Sequence, residues 1–222
     1  MNLKTEPAGL RIYPGHLDCD AQSELLAAIR AVLAAAPLFT PRMPKSGRPF
    51  SVRMSNCGSL GWISDERGYR YEPTHPATGR PWPPIPEQLI ALWSHVARYA
   101  KPPEACLINF YDRTAKMGLH QDRDEADFAA PVVSISLGDD CLFRVGGQNR
   151  RDPTTSIRLT SGDVLVLGGD ARLAFHGVDR IYPGTSSLLA DGGRINLTLR
   201  RVTPQRANPT SAQAEAKAPH HA

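Results

Sequence analysis

The chain has no run of eighteen or more apolar residues, which excludes a membrane-spanning helix. Its N-terminus, MNLKTEPAGLRIYPG, lacks a continuous apolar core and a small-residue cleavage site, so a secretory signal is not expected. Cysteine is scarce. The four residues, Cys19, Cys57, Cys106 and Cys141, lie far apart and form neither a CxxC pair nor a compact framework. Reduced, buried thiols in a cytoplasmic protein are the expected state. No internal repeat is visible. Neither sign of charge dominates: 26 basic and 22 acidic residues leave a net +4, which permits a polyanionic partner without requiring one.

What is present fits 222 residues of globular protein with a core large enough to be stable alone. Asp18 to Ala36 reads as a helix. Asp18 or Asp20 can cap it, Leu25, Leu26, Ile29, Val32 and Leu33 form one apolar stripe, and Pro37 stops it. FSVRMSN is a candidate short strand. GWISDERGYRYEPTHPATGRPWPPIP follows, with six prolines between Pro73 and Pro86. So stiff a segment resists helix and central strand, and a long ordered loop is more often functional than filler. Pro86 to Lys101 predicts a second helix, with Pro102 and Pro103 ending it. Beyond it the pattern changes. ACLINFY, VVSISL, CLFRVG, SIRLT, DVLVLG and RINLTLRRV are short apolar runs separated by turn residues, as in an antiparallel sandwich or barrel. Helices packed on one face of a double-sheet jelly roll follow from that order, an α+β fold. Residues 203–222 lack a core-forming pattern and read as a disordered tail.

Two histidines are followed two residues later by an acid. With seven histidines and about a tenth of residues acidic, roughly 0.7 such pairs arise by chance. His16-Leu-Asp18 sits at the entry to the first helix, where capping explains Asp18. His120-Gln-Asp122 follows the strand ACLINFY and a turn. In extended backbone its imidazole and carboxylate point the same way. His176, in AFHGV after the run DVLVLGG, is the candidate third ligand. Two histidines and a carboxylate leave open positions on a metal, which suits non-haem Fe(II), with zinc as the rival. RINLTLR favours iron. Arg194 and Arg200 lie six apart, so a strand puts both on one face with Asn196 and Thr198. Inward arginines need an anion, and a dicarboxylate co-substrate supplies two. The plain alternative sets both on the solvent face of an edge strand.

Taken together, CLINFYDRTAKMGLHQDRDE, PVVSISLG, GDVLVLGGDARLAFHGV and RINLTLR resemble the AlkB family of Fe(II)/2-oxoglutarate dioxygenases in its bacterial form, from about Met54 to Val202. The resemblance implies a double-stranded β-helix, a jelly roll, carrying N-terminal helices and a nucleotide-recognition lid. Residues 1–104 would supply helices and lid, and 105–202 the catalytic jelly roll, as one compact unit. It implies His120, Asp122 and His176 as Fe(II) ligands, with Asn109 and Tyr111 holding 2-oxoglutarate. It sets Arg200 on the far carboxylate of that co-substrate, and Arg194 and Asn196 near the end bound at the metal. Trp62 would stack on the damaged base opposite His120. Tyr69 and Tyr71 would lie near the nucleotide, Asp124 would face the base, and Arg150 would sit beside the substrate, with Arg151 able to replace it. The alternative for Tyr71 is ordinary lid core. Trp62, Arg67, Tyr69, Arg70 and Tyr71 interleave rings for stacking with charges for phosphates.

The implied reaction uses O2 and 2-oxoglutarate to demethylate bases such as 1-methyladenine and 3-methylcytosine. The expected partner of this monomer is alkylated DNA, chiefly single-stranded, with RNA as a further substrate. The rival functions are a dioxygenase of the same fold acting on protein or a small molecule, a nucleic-acid-binding module without catalysis, and a zinc hydrolase. One departure stands out: close bacterial relatives carry tryptophan where this chain has Leu167.

Overall fold

A computed structural model describes residues 7–204; the tail expected over 203–222 lies, beyond residue 204, outside the described residues. Elements follow in the order β1 Leu10–Tyr13, α1 Cys19–Ala35, β2 Arg53–Gly58, β3 Gly61–Asp65, β4 Gly68–Glu72, α2 Glu87–Val96, β5 Ala105–Tyr111, β6 Met117–His120, β7 Val132–Gly138, β8 Asp140–Val145, β9 Thr155–Leu159, β10 Val164–Leu167, a 3-10 turn Gly169–Leu173, β11 His176–Tyr182 and β12 Arg194–Arg200. Two antiparallel sheets form the frame. The larger runs β1-β10-β7-β12-β5-β2 and the smaller β6-β11-β8-β9. Strands β3 and β4 pair as a separate hairpin. No helix among the described residues is long and apolar enough to cross a membrane.

Alternation along the central strands builds two cores from one sheet. Ile195, Leu197 and Leu199 of β12 face outward with Cys106 and Ile108 of β5, and meet Leu25, Ile29, Leu89 and Trp93 of the two helices. The opposite face of the sheet turns toward the smaller sheet, where Tyr111, Leu165 and Leu167 pack with Phe143, Val145 and Val178. Each fully buried aliphatic side chain contributes about 1.5–3 kcal/mol. A helix layer on a jelly roll is therefore the observed architecture.

Helix α1 starts as expected: Asp18 Oδ1 accepts from the Ala21 amide at 2.9 Å, and that capping role accounts for the acid of the His16-Leu-Asp18 pair. Helix α2 ends earlier than Lys101. Arg98 takes φ 55°, a left-handed conformation that stops the helix before the prolines arrive. The aromatic region is not all loop. Residues 61–72 form the β3–β4 hairpin, with Gly68 at φ 109° directly after the turn, and only the proline-rich part is irregular. Strands β1 and β2 hydrogen-bond at the two edges of the larger sheet, so a division at residue 104 cuts through the jelly roll.

Candidate metal centre and co-substrate pocket

Strands β6 and β11 lie side by side, and His120, the last residue of β6, is the register partner of His176, the first of β11. Antiparallel pairing alone therefore brings two imidazoles, 56 residues apart in sequence, to a ring separation of 4.5 Å. The close approach needs Gly177: a Cβ there would stand 2.5 Å from the Met117 carbonyl oxygen. Asp122 follows two residues after His120. Its Oδ1 lies 3.7 Å from His120 Nε2 and its Oδ2 3.7 Å from His176 Nε2. The candidate ligand atoms of all three lie within 4.8 Å of one another.

The donor set is prepared for a cation. Each ring offers Nδ1 to a carbonyl two residues upstream, His120 to Gly118 at 3.0 Å and His176 to Ala174 at 2.9 Å. A carbonyl only accepts, so Nδ1 carries the proton and the Nε2 lone pair faces the centre. Burial and the adjacent His120 push His176 down to about 4, which keeps it neutral. Burial opposes ionisation of Asp122, but Arg200, His176, His120 and Arg172 together outweigh it and hold the carboxyl well below the usual range. Asp122 Oδ2 is buried without a hydrogen-bond partner. A divalent metal fits these residues.

Strand β12 presents Arg194, Asn196, Thr198 and Arg200 to a cavity of about 590 Å³ whose wall also includes the three candidate ligands. The arginines are inward and almost fully buried, not on a solvent face. Arg200 Nη2 donates to Asp122 Oδ1 at 2.7 Å. Arg194, beside Tyr111 and Gly138 in register, lies over the Tyr111 ring and donates from Nη2 to Ser136 at 3.0 Å. The resemblance set Arg200 at the far end and Arg194 near the metal. In the structure the last residue of β12, Arg200, lies on Asp122, and the first, Arg194, lies beside Tyr111. Asn196 is held by Ser134 and the Ile135 carbonyl, and accepts from Asn109 and Thr198.

Six buried side-chain atoms lack a partner among the described residues. Five of them, Asn109 Oδ1, Asp122 Oδ2, Arg194 Nε and Nη1, and Arg200 Nε, belong to residues lining this cavity. Orphaned polar atoms are costly in a core unless a ligand satisfies them. Guanidinium donors and a free carboxylate oxygen suit an anionic chelator and a metal together.

Residues 9–200 match the model of the 2OG-Fe(II) oxygenase superfamily. The chain is 58% identical over 194 residues to the alpha-ketoglutarate-dependent dioxygenase AlkB homolog of Caulobacter vibrioides, across 87% of this chain and 88% of that protein. It is 41% identical over 187 residues to the alpha-ketoglutarate-dependent dioxygenase AlkB of Escherichia coli K12, across 82% and 86% of the two chains. The chain belongs to the AlkB family of Fe(II)/2-oxoglutarate dioxygenases. Among solved structures, the one titled "The structure of OsALKBH1" aligns with a TM-score of 0.73 at 33% identity, over 89% of this chain and 98% of that one. Over 114 residues, 46% of this chain and 38% of that protein, it is 35% identical to the tRNA demethylase abh1 of Schizosaccharomyces pombe. Over 108 residues, 44% of this chain and 24% of that protein, it is 43% identical to the DNA N(6)-methyladenine demethylase ALKBH1D of Arabidopsis thaliana.

As an AlkB-family enzyme the chain uses Fe(II), 2-oxoglutarate and O2. Met43, Phe50, Trp62 and Tyr69 also line the cavity. Trp62 donates from Nε1 to Asp124 Oδ2 at 2.7 Å and stacks on Tyr69 with ring centres 5.5 Å apart. Asp124 and Arg150 line the cavity; Arg151 does not. Arg150 donates to the Leu119 carbonyl at 2.9 Å. Leu167 lies in the apolar wall, fully buried.

Two hairpin residues are held by charged neighbours. Tyr71 is absent from the cavity lining; its hydroxyl donates to Glu125 and accepts from Arg200 Nη1 at 3.2 Å. Arg70 is committed to Asp65 and Glu72, at 2.8 Å each, rather than free for phosphate. Arg67 remains largely exposed. Sequence reasoning missed Glu125 and Arg172. Glu125 is buried between Arg200 Nη1 at 2.8 Å and Arg172 Nη2 at 3.0 Å. Arg172 also donates to the Asp122 and Ala130 carbonyls. The acid three residues beyond Asp122 was the only signal for Glu125, and nothing marked Arg172.

Proposed function

We propose that this dioxygenase demethylates N-alkylated bases in nucleic acid, of the 1-methyladenine and 3-methylcytosine type, with single-stranded DNA as its main substrate and RNA as a second. The carrying observation is the set of orphaned atoms in a pocket also lined by an indole and an acid that hydrogen-bond each other. Relatives named for DNA and tRNA demethylation support the nucleic-acid class. We read the chain as a cytoplasmic monomer with lid and jelly roll as one unit; the four cysteines are free, as in a reducing compartment, with Cys19 exposed rather than buried.

In this reading His120, Asp122 and His176 bind Fe(II) through two Nε2 atoms and a carboxylate. Arg194, with Nε and Nη1 free, would hold the far carboxylate of 2-oxoglutarate, and Asn109 and Tyr111 of the same cavity would help to hold it. Arg200 and Asn196 serve the metal end. When bound, Fe(II) and 2-oxoglutarate supply the activation of O2 that hydroxylates the N-methyl carbon. The hydroxymethyl group then leaves as formaldehyde and the base is restored. Trp62 and Tyr69 offer stacking faces to a base drawn out of its strand, and Asp124 favours a lesion carrying positive charge. Arg150 reaches the backbone beside it. Tyr71, held on Glu125 and Arg200, serves the base only by fixing the hairpin. Bases methylated on the pairing edge pair poorly, so extrusion costs less for them, which selects lesions and single strands.

The test is the mass of a single-stranded oligonucleotide carrying one 1-methyladenine, before and after incubation with Fe(II), 2-oxoglutarate and air. Loss of the mass of one CH2 unit supports the reading. An unchanged oligonucleotide alongside steady succinate production would redirect the enzyme to a protein or small-molecule substrate.

A further inference from the structure

We propose that Glu125, steadied by Tyr71 of the lid hairpin, is the positioning residue that keeps Asp122 available to the metal. The inference rests on reading His120, Asp122 and His176 as the metal ligands. An arginine beside a lone carboxylate tends to close on it with both ends of its fork. Such a pair would consume both oxygens of Asp122. Arg200 does otherwise: Nη2 meets Asp122 Oδ1 at 2.7 Å, and Nη1 meets Glu125 Oε1 at 2.8 Å. One guanidinium is shared between two carboxylates, and Asp122 Oδ2 is left free.

Glu125 is itself fixed. Arg172 holds its Oε2 at 3.0 Å and, through Nη1, the Asp122 carbonyl at 2.8 Å. The Tyr71 hydroxyl holds its Oε1. Two buried carboxylates and two buried guanidinium groups balance in charge, so the cluster is stable only as a set. Tyr71 stands on β4 in register with Trp62 on β3. The hairpin that carries the stacking indole is therefore bonded to the group that sets the metal ligand. Trp62 to Asp124 is its second tie to the same loop.

The experiment is anaerobic titration with Mn(II), without 2-oxoglutarate, of the unmodified chain and of Asp122→Ala, Glu125→Ala, Glu125→Gln and Tyr71→Phe, with thermal unfolding of each. Removing a group that orients a ligand costs about 10–100-fold in metal affinity. Glu125→Ala is expected to weaken Mn(II) in that range. Glu125→Gln keeps an oxygen for Arg200 and restores affinity to within a few-fold. Tyr71→Phe deletes one hydroxyl and weakens binding by a few-fold with the fold intact. Unchanged Mn(II) affinity in folded Glu125→Ala overturns the proposal. If Glu125→Ala does not fold, Tyr71→Phe decides, and unchanged affinity there overturns it. Retained affinity in Asp122→Ala would instead overturn the ligand reading, so the two failures are distinct.

Discussion

Asp122 Oδ2 and the Nε and Nη1 of Arg194 are buried without hydrogen-bond partners, and the proposed function gives the first to the metal and the other two to the co-substrate. Their substitutions should separate. Asp122→Ala is expected to abolish both metal binding and succinate release. Arg194→Ala removes charge-assisted bonds worth about 1.5–3 kcal/mol each, so the KM for 2-oxoglutarate should rise by roughly a hundredfold or more. Initial-rate kinetics check this, and the KM for oligonucleotide should stay unchanged. Arg200→Ala should instead weaken the metal, since Arg200 lies on Asp122. His176 gives a pH signature in the metal-free protein. Its ordinary value of 6.5 falls to about 4 on folding. Between those values the unfolded chain takes up a proton that the native chain refuses. Stability therefore falls as pH drops from 6.5 toward 4, by about 1.4 kcal/mol per unit at most from this group. Urea unfolding at a series of pH values, with NMR titration of the His176 ring, tests the sign; a rise in stability over that window would contradict it.

Elements decide where these residues meet. Strands β6 and β11 carry the two histidines only because Gly177 lets them close, so Gly177→Ala should weaken Mn(II) binding and lower the unfolding temperature together. The hairpin β3–β4 carries Trp62, and base stacking on an aromatic is worth about 1–3 kcal/mol. Trp62→Ala is expected to raise the KM for a methylated oligonucleotide about 10–100-fold and leave 2-oxoglutarate binding alone, as steady-state kinetics with each substrate varied would reveal. Much at this scale was legible in advance. ACLINFY and RINLTLR alternate so regularly that β5 and β12 follow, with Arg194 and Arg200 on one face. The hairpin was hidden because prolines dominate the composition around it, although they lie beyond Glu72. AFHG gives no strand signal of its own; His176 opens β11 through its pairing with His120 of β6 and Val145 of β8. Which end of β12 meets Asp122 is a tertiary fact that residue spacing does not carry. Glu125 was unreadable for the same reason: its partners Tyr71, Arg172 and Arg200 come from three distant parts of the chain.

At the scale of the whole molecule, two stacked sheets and a helix layer make a rigid cup, and the charged chemistry sits inside it rather than on the surface. Net charge is only +4, and Arg70 is neutralised by its neighbours. In the proposed function the phosphate contacts would fall to Arg67, exposed on the hairpin, and Arg150, in the cavity lining. Oligonucleotide binding should therefore weaken only moderately with salt, with a slope set by about two phosphate contacts. Demethylation couples two events: each turnover spends one 2-oxoglutarate and removes one methyl group. The direct measurement is succinate and formaldehyde released side by side from a 1-methyladenine single strand and from its unmethylated twin. A demethylase of this design yields the two products mole for mole with the methylated strand and no formaldehyde with the other. Succinate at the same rate from both strands, without formaldehyde, would contradict it.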